Sequence, residues 1–331
     1  SSHFGSRVGG HAPTPVSGME AQAACTTRRR MGRLPAPRRH VRAALAVAAA
    51  LVAAGVFAGS GRRTGSDDTA AAIGDGPASA FLPIGCKHSW LMPKIVKANF
   101  PGAMPGAEVA RRMLKSVRAY GVRQDNVVYG HSICSDEING DKGHLPTVLT
   151  KYFGTSFFLG GIGGAPYVGK TGFGAFAAHV PDDGHVVLVF GPHIGISPQG
   201  EPGKFLRDGQ SELSTSCGAA IAAYSQCTSG TPMKPDELDM EQSWLREKLG
   251  PRCAELTESN NLMVDLVLEA YKEVEAEVFR IVNTNFGSGN LVLLGGIQIN
   301  MPYPLPGYWV PLHFSIRAAG KHPTDRMVAC Q

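Results

Sequence analysis

The chain mixes short apolar runs with longer stretches in which apolar residues recur at helical spacing. The runs predict buried strands at Asn126–Tyr129, Ser156–Leu159, His185–Phe190, Leu291–Ile299 and Trp309–Ile316. The periodic stretches predict helices at Ala107–Ala119, Leu145–Tyr152, Cys217–Tyr224, Asp236–Lys248 and Asn261–Asn283. Because strands alternate with helices, we predict an α/β layered domain with a central, mostly parallel sheet flanked by helices.

The first part of the chain has a different pattern. A short basic region precedes an apolar run at 43–58 that ends in small residues, the order typical of a signal peptide. The run is shorter than the roughly 20 residues of a transmembrane helix. Gly, Ala, Ser and Asp dominate the residues from about 59 to 80, which predicts disorder. We therefore predict a targeting leader and linker at 1–93 and one folded domain at 94–331, with plastid delivery favoured over secretion or membrane anchoring.

Composition narrows the class of protein. Hydrophobic residues make up 43 % of the 331 residues and charged residues 18 %, which suits a globular domain with a sizeable core. The net charge of +5 is carried by arginines before residue 64, so neither nucleic acid nor a membrane is expected as a partner of the domain. The seven cysteines are odd in number and widely spread, which predicts reduced thiols rather than a disulfide framework. Cys227 and Cys253 are interpreted as structural.

Three metal-ligating residues follow predicted strand ends or begin a helix. Cys134 follows the first strand and His193 follows HVVLVFGP, and the carboxyl ends of parallel strands are where ligand sites form. Cys217 opens a predicted helix, where free amides and the helix dipole favour a thiolate. Two thiolates and an imidazole form a good zinc set with a fourth position left for water or an acid. His179 is the second candidate for the imidazole, and His131 could also reach the site.

Asp136 lies two residues after Cys134 and would place a carboxylate beside the metal. Such a group can accept a hydrogen bond from water and orient it. Single residues of these types are more often buried thiols or satisfied histidines, so the prediction depends on their occurring together.

Five ordered motifs link the chain to a known family: CSDEIN, GKTGFGAF, HVPDDG, PHIGIS and GQSELSTSCGAA. Over about residues 101–311 the chain resembles the limiting-CO2-inducible protein B family, the theta-type carbonic anhydrases related to the β-type enzymes. The resemblance implies a β-carbonic-anhydrase-like fold, Zn²⁺ on Cys134, His193 and Cys217, and reversible hydration of CO2 to bicarbonate. It also implies a homodimer, or a hetero-oligomer with a paralogue, and a role in an inorganic-carbon concentrating system.

The sequence departs from the β-type pattern at two points. Those enzymes place an arginine two residues after the aspartate, where this chain has Ile138. Arg207 is our candidate for the substitute cation beside Asp136, with Lys142 as the alternative. The second departure is the 24-residue separation of His193 and Cys217, so an insertion must fold back to complete the ligand set.

The sequence is also compatible with two other functions. Gly164–Thr171 reads GAPYVGKT and satisfies the P-loop pattern, in which Lys170 would reach terminal phosphates. No later apolar strand ends in the aspartate that would complete such a site. The other alternative is a catalytically silent protein that holds structural zinc, with Asp136 closing the fourth position.

Overall fold

The structure is a computed structural model that describes residues 86–140, 143–230, 234–282 and 289–318, with the backbone alone for 86–89. The predicted apolar segment 43–58 and the candidate Lys142 lie outside the described residues. Within those ranges, no helix is both long and apolar enough to cross a membrane. The first described helix, Cys86–Asn99, buries Met92 and Val96 and therefore spans the predicted domain start at 94.

The centre of the domain is a mixed sheet. Its strands are β1 (Met104–Pro105), β2 (Val127–Ile133), β3 (Phe157–Phe158), β4 (His185–Gly191), β5 (His193–Gly195), β8 (Asn290–Asn300) and β9 (Tyr308–Ala318). The main order is β1-β9-β8-β4-β2-β3, with β5 added beside β8. Strands β3, β2, β4, β5 and β8 run parallel to one another, whereas β9 is antiparallel to β8 and to β1. The predicted mostly parallel sheet is confirmed.

Helices cover both faces of this sheet. They are α1 (Cys86–Asn99), α2 (Gly106–Arg118), α3 (Leu145–Phe153), α4 (Gly169–Ala177), α5 (Gly218–Thr228), α6 (Met240–Leu249), α7 (Cys253–Thr257) and α8 (Leu262–Ile281). Strand β4 is buried along its whole length, because apolar side chains from both faces pack against helices. One face packs against α1, α4 and α8, and the other packs against α2 and α3.

The register of the parallel strands positions the site. Ile133 at the end of β2 lies opposite Gly191 at the end of β4. His193 then begins β5, which pairs with the last residues of β8 as far as Asn300. The residues that follow β2, β4 and β8 are therefore neighbours at the carboxyl edge of the sheet, where ligand sites form.

The excursion between His193 and Cys217 folds back as a hairpin. Strand β6 (Lys204–Phe205) pairs antiparallel with β7 (Ser214–Thr215) in a separate two-stranded sheet. The Gly195 amide donates to the Ser216 carbonyl, so the two ends of the excursion meet beside β5.

The expectation that the cysteines are reduced thiols is wrong for one pair. Cys227 near the end of α5 and Cys253 at the start of α7 form a disulfide, with Cα atoms 6.5 Å apart. That spacing falls within the usual range for a disulfide. The two residues are 26 apart in the chain, and only the packing of α5 against α7 brings them together. The interpretation of both as structural agrees with this bond.

Candidate metal centre

Cys134, His193 and Cys217 converge on one buried point. Their ligand atoms all lie within 4.8 Å of one another, and the two sulfur atoms are 3.8 Å apart. Two thiolates on one zinc ion are also about 3.8 Å apart, given bonds of about 2.3 Å at the tetrahedral angle. His179, the second candidate for the imidazole, is exposed at the end of α4 and contacts the Phe157 ring instead.

Each ligand is delivered by a different local structure. Cys134 is the first residue after β2, and its carbonyl accepts a hydrogen bond of 3.0 Å from the Asn139 side chain. His193 opens β5 directly after Pro192. Cys217 is the N-cap residue of α5, as the sequence predicts.

Asn300 orients the imidazole of His193, and the sequence analysis did not identify it. The His193 Nδ1 and Asn300 Oδ1 atoms are 2.8 Å apart. Asn300 Nδ2 donates to the Ile138 carbonyl at 3.2 Å and to Asn139 Oδ1 at 3.0 Å, so Oδ1 must face the histidine as an acceptor. Asn300 is a buried polar residue that ends an apolar strand, and that pattern was the signal available in the sequence.

The hydrogen bond to Asn300 leaves the other ring nitrogen free to coordinate. With a proton on Nδ1, the His193 Nε2 atom carries a lone pair. It is buried, and no residue that the structure describes forms a hydrogen bond with it. An unpartnered buried acceptor is costly unless something binds it. The residues present therefore fit a soft divalent metal such as zinc.

The two thiols differ in their electrostatic environment. The hydrogen bond from Cys134 and then the amides of Ala219 and Ala220 lower the pKa of Cys217. The contact with Cys217 and then burial raise the pKa of Cys134. Burial acts to lower the pKa of His193, but Cys134 and Asp136 outweigh it and leave that pKa raised. The amides at the start of α5 thus favour the thiolate form of Cys217.

Asp136 lies at the edge of the cluster and is held by Arg207. The Asp136 Oδ2 atom is 3.5 Å from His193 Nε2 and accepts a 2.7 Å hydrogen bond from Arg207 Nη2. Burial raises the pKa of Asp136, while His193 and Arg207 act in the opposite direction. Ile138, which occupies the β-type arginine position, is buried.

The β6–β7 hairpin positions Arg207 for this contact. Arg207 Nε donates to Glu137 Oε1 at 2.7 Å, and Nη1 donates to the Thr215 carbonyl at 3.2 Å and to the Ser214 hydroxyl. The guanidinium therefore has three fixed directions, one of which points to Asp136. The roles of Asp136 and Arg207 in a reaction stay predictions.

Two cavities border Asp136. One, of about 370 Å³, is bordered by His131, Phe158 and Pro146. The other, of about 470 Å³, is bordered by Arg207 and by the start of α5. His131 lies on the wall of the first cavity and outside the metal cluster. Both cavities also border Cys134, so a small molecule in either one lies beside the metal cluster and Asp136.

Several amides of the P-loop-like segment are bonded within the chain: those of Gly164, Ala165 and Gly169 donate to carbonyls of residues 161, 162 and 166. The Ile162 amide, just before the motif, already donates to the Glu241 carboxylate at 2.7 Å. Helix α4 has only nine residues, and both Lys170 and Thr171 are exposed on it. The glycines serve close packing instead: a Cβ on Gly164 would overlap the Gly191 carbonyl.

Comparison with known proteins gives a consistent result. The family model of limiting CO2-inducible proteins B/C β carbonic anhydrases matches residues 103–318. A crystal structure of PtLCIB4, a homologue of the limiting CO2-inducible protein LCIB, has 34 % identity and a TM-score of 0.64, covering 69 % of this chain and 96 % of its own. A crystal structure of a PtLCIB4 mutant has 32 % identity and a TM-score of 0.65, covering 71 % and 100 %. The crystal structure of LCIB itself, at 21 % identity and a TM-score of 0.52, covers 66 % and 92 % and supports the fold alone. No curated protein matches the sequence significantly.

Proposed function

We propose, from the premise that this chain belongs to the family of limiting CO2-inducible proteins B/C β carbonic anhydrases, that it is a zinc-dependent carbonic anhydrase. The observation that supports this best is the convergence of Cys134, His193 and Cys217, with a buried His193 Nε2 that has no hydrogen-bond partner among the described residues. Zinc held there would supply a Lewis acid that makes water a nucleophile near neutral pH.

The chain's own residues prepare the reactants. Asp136 Oδ2 lies next to the cluster and can accept a hydrogen bond from a water molecule there, which orients an oxygen lone pair toward CO2. Arg207 fixes that carboxylate and leaves it as an acceptor. The reaction joins the water oxygen to the carbon of CO2, gives bicarbonate and releases one proton to solvent.

The two cavities suit the two carbon species. CO2 is apolar, and Ile133, Pro146 and Phe158 give it an apolar patch within the otherwise polar first cavity. Bicarbonate is an anion, and the opening lined by Arg207 offers it a cation. A catalytically silent, zinc-holding protein remains the second candidate function, because Asp136 lies close enough to His193 Nε2 to take part in closing the metal site.

The decisive experiment measures zinc content and CO2 hydration in one set of purified proteins. We expect one zinc per chain in the wild type and its loss in Cys134→Ser, His193→Ala and Cys217→Ser. His179→Ala is the matched control and should keep zinc, because that exposed residue lies outside the cluster. An intact wild type that binds no zinc would refute the proposal. Zinc-loaded protein with no hydration in stopped-flow assays across pH would favour the silent alternative.

The proposal extends to the cell. We propose that the enzyme works as a homodimer in an inorganic-carbon concentrating system of a plastid, with a hetero-oligomer with a paralogue as the alternative assembly. Light scattering of the purified domain would distinguish a dimer from a monomer. A fluorescent fusion to residues 1–93 would test plastid delivery, and its retention at the cell surface or in the medium would contradict it.

A further inference from the structure

A glycine loop connects the metal cluster to a distant helix. The loop is Gly161–Gly164, which follows β3. The Gly163 amide donates to the Cys134 sulfur at 3.2 Å. Gly163 has φ of 65° and Gly164 has φ of +83°, a conformation that glycine adopts at little cost. The loop therefore gives Cys134 a hydrogen bond that a less flexible segment could not easily supply.

Helix α6 holds this loop in place from the other side. Glu241, in its first turn, accepts a 2.7 Å hydrogen bond from the Ile162 amide, next to Gly163. The Glu241 carboxylate also fills the space beside Gly161, where a Cβ would clash with it. Tyr167, on the far side of the loop, donates to the Glu241 carbonyl at 2.5 Å. The loop is thus anchored to α6 through both the side chain and the backbone of Glu241.

We propose that Glu241 is a positioning residue of the metal centre, keeping the Gly163 amide on the Cys134 sulfur through its bond to Ile162. This inference rests on the proposed metal site, but it concerns a residue that contacts neither the metal cluster nor Asp136. An N–H donor on a thiolate fixes the sulfur and withdraws electron density from it, which tunes the metal that the sulfur binds.

The test compares Glu241→Ala with Glu241→Gln. Alanine removes the acceptor for the Ile162 amide, and glutamine keeps an oxygen in reach of it. Zinc affinity, measured by competition with a chromophoric chelator, should fall 10- to 100-fold in Glu241→Ala, on the order of the effect of losing an outer-shell partner. It should stay near the wild-type value in Glu241→Gln. Glu247→Ala is the matched control on the same helix, since the Glu247 side chain is 72 % exposed and pairs only with Lys248 among the described residues.

A second readout separates positioning from general loss of structure. In cobalt-substituted protein, the sulfur-to-cobalt charge-transfer band should shift in Glu241→Ala and not in Glu241→Gln, because the band reports electron density on the thiolates. Tyr167→Phe removes the other anchor and should shift the band in the same direction. That variant keeps the test valid if Glu241→Ala does not fold.

The outcomes distinguish this inference from the function on which it rests. A wild type that binds no metal would overturn both. A wild type that binds zinc, together with a folded Glu241→Ala variant of unchanged zinc affinity and unchanged cobalt spectrum, would overturn the positioning role alone. Weakened zinc binding with a shifted cobalt band, restored by glutamine, is the expected result.

Discussion

His193 and Asn300 lie at the ends of two strands, with Nδ1 of the histidine 2.8 Å from Oδ1 of the asparagine. This contact fixes which ring nitrogen faces the two thiols. We expect Asn300→Ala to weaken zinc binding 10- to 100-fold, because the imidazole loses its tautomer and its orientation. Chelator competition measures the change. Asn290→Ala, at the other end of the same strand, should bind zinc like the wild type, since its side chain donates to the Tyr120 carbonyl far from the site.

Removing the guanidinium at position 207 should reduce catalysis without removing the metal. We expect Arg207→Gln to lower kcat/KM for CO2 hydration by about 10- to 100-fold, because Asp136 loses its fixed partner. Arg207→Lys should recover only part of the activity, since an ammonium cannot reproduce the fork that contacts Asp136 and Glu137. Stopped-flow assays and zinc analysis on the same samples give both quantities. Full activity in Arg207→Gln would show that Arg207 has no role in catalysis.

His131 should make the folded state sensitive to acid. Burial lowers its pKa to about 4, and the Nδ1 atom has no hydrogen-bond partner in the described part of the chain. The unfolded state, with a pKa near 6.5, then binds the proton more tightly than the folded state. Stability is therefore present above about pH 6.5 and is lost as the pH falls toward 4. The contribution lost between pH 7.5 and pH 5 is about 2 kcal/mol.

Replacing His131 with an apolar ring tests this effect. The free energy of unfolding of His131→Phe, measured by urea titration, should fall less than that of the wild type over the same pH interval. Some pH dependence should remain, because burial also lowers the pKa of His313 to about 4. Equal losses in the variant and the wild type would show that His131 does not titrate in this way.

The Cys227–Cys253 disulfide should contribute measurably to stability. It closes a segment with a sequence separation of 26 residues, for which the chain-entropy model gives about 3.5 kcal/mol. Dithiothreitol should therefore lower the urea midpoint of the wild type. The double variant Cys227→Ser, Cys253→Ser should show the lower midpoint with or without reductant. A wild-type urea midpoint that is the same with and without dithiothreitol would contradict the prediction.

The long elements could be predicted from the sequence because their signals are local. The apolar run at His185–Phe190 and the stripe at Asn261–Asn283 correspond closely to β4 and α8. The positions of Cys134, His193 and Cys217 could also be predicted, since strand ends and a helix start have recognisable sequence patterns. Their convergence is now a property of the structure, although the metal they would hold is a proposal.

The contacts that complete the site could not be predicted in this way. Strands β6 and β7 have two residues each and no periodicity, so only their pairing reveals them. The bond from Ile162 to Glu241 joins residues 79 apart in the chain, and the contact of Asn300 with His193 joins residues 107 apart. Such contacts depend on how the helices and strands pack, and no local pattern encodes them.

The hairpin between His193 and Cys217 places both the second thiol and the Asp136 partner on one excursion of the chain. A zinc ion bound to both His193 and Cys217 would be a cross-link that closes a loop of 24 residues. Opening that loop would separate Cys217 and Arg207 from the sheet in a single event, so the metal and the ion pair would be lost together. Zinc would then suppress local unfolding of the excursion. Metal supply would thereby set how long this part of the protein survives attack by proteases.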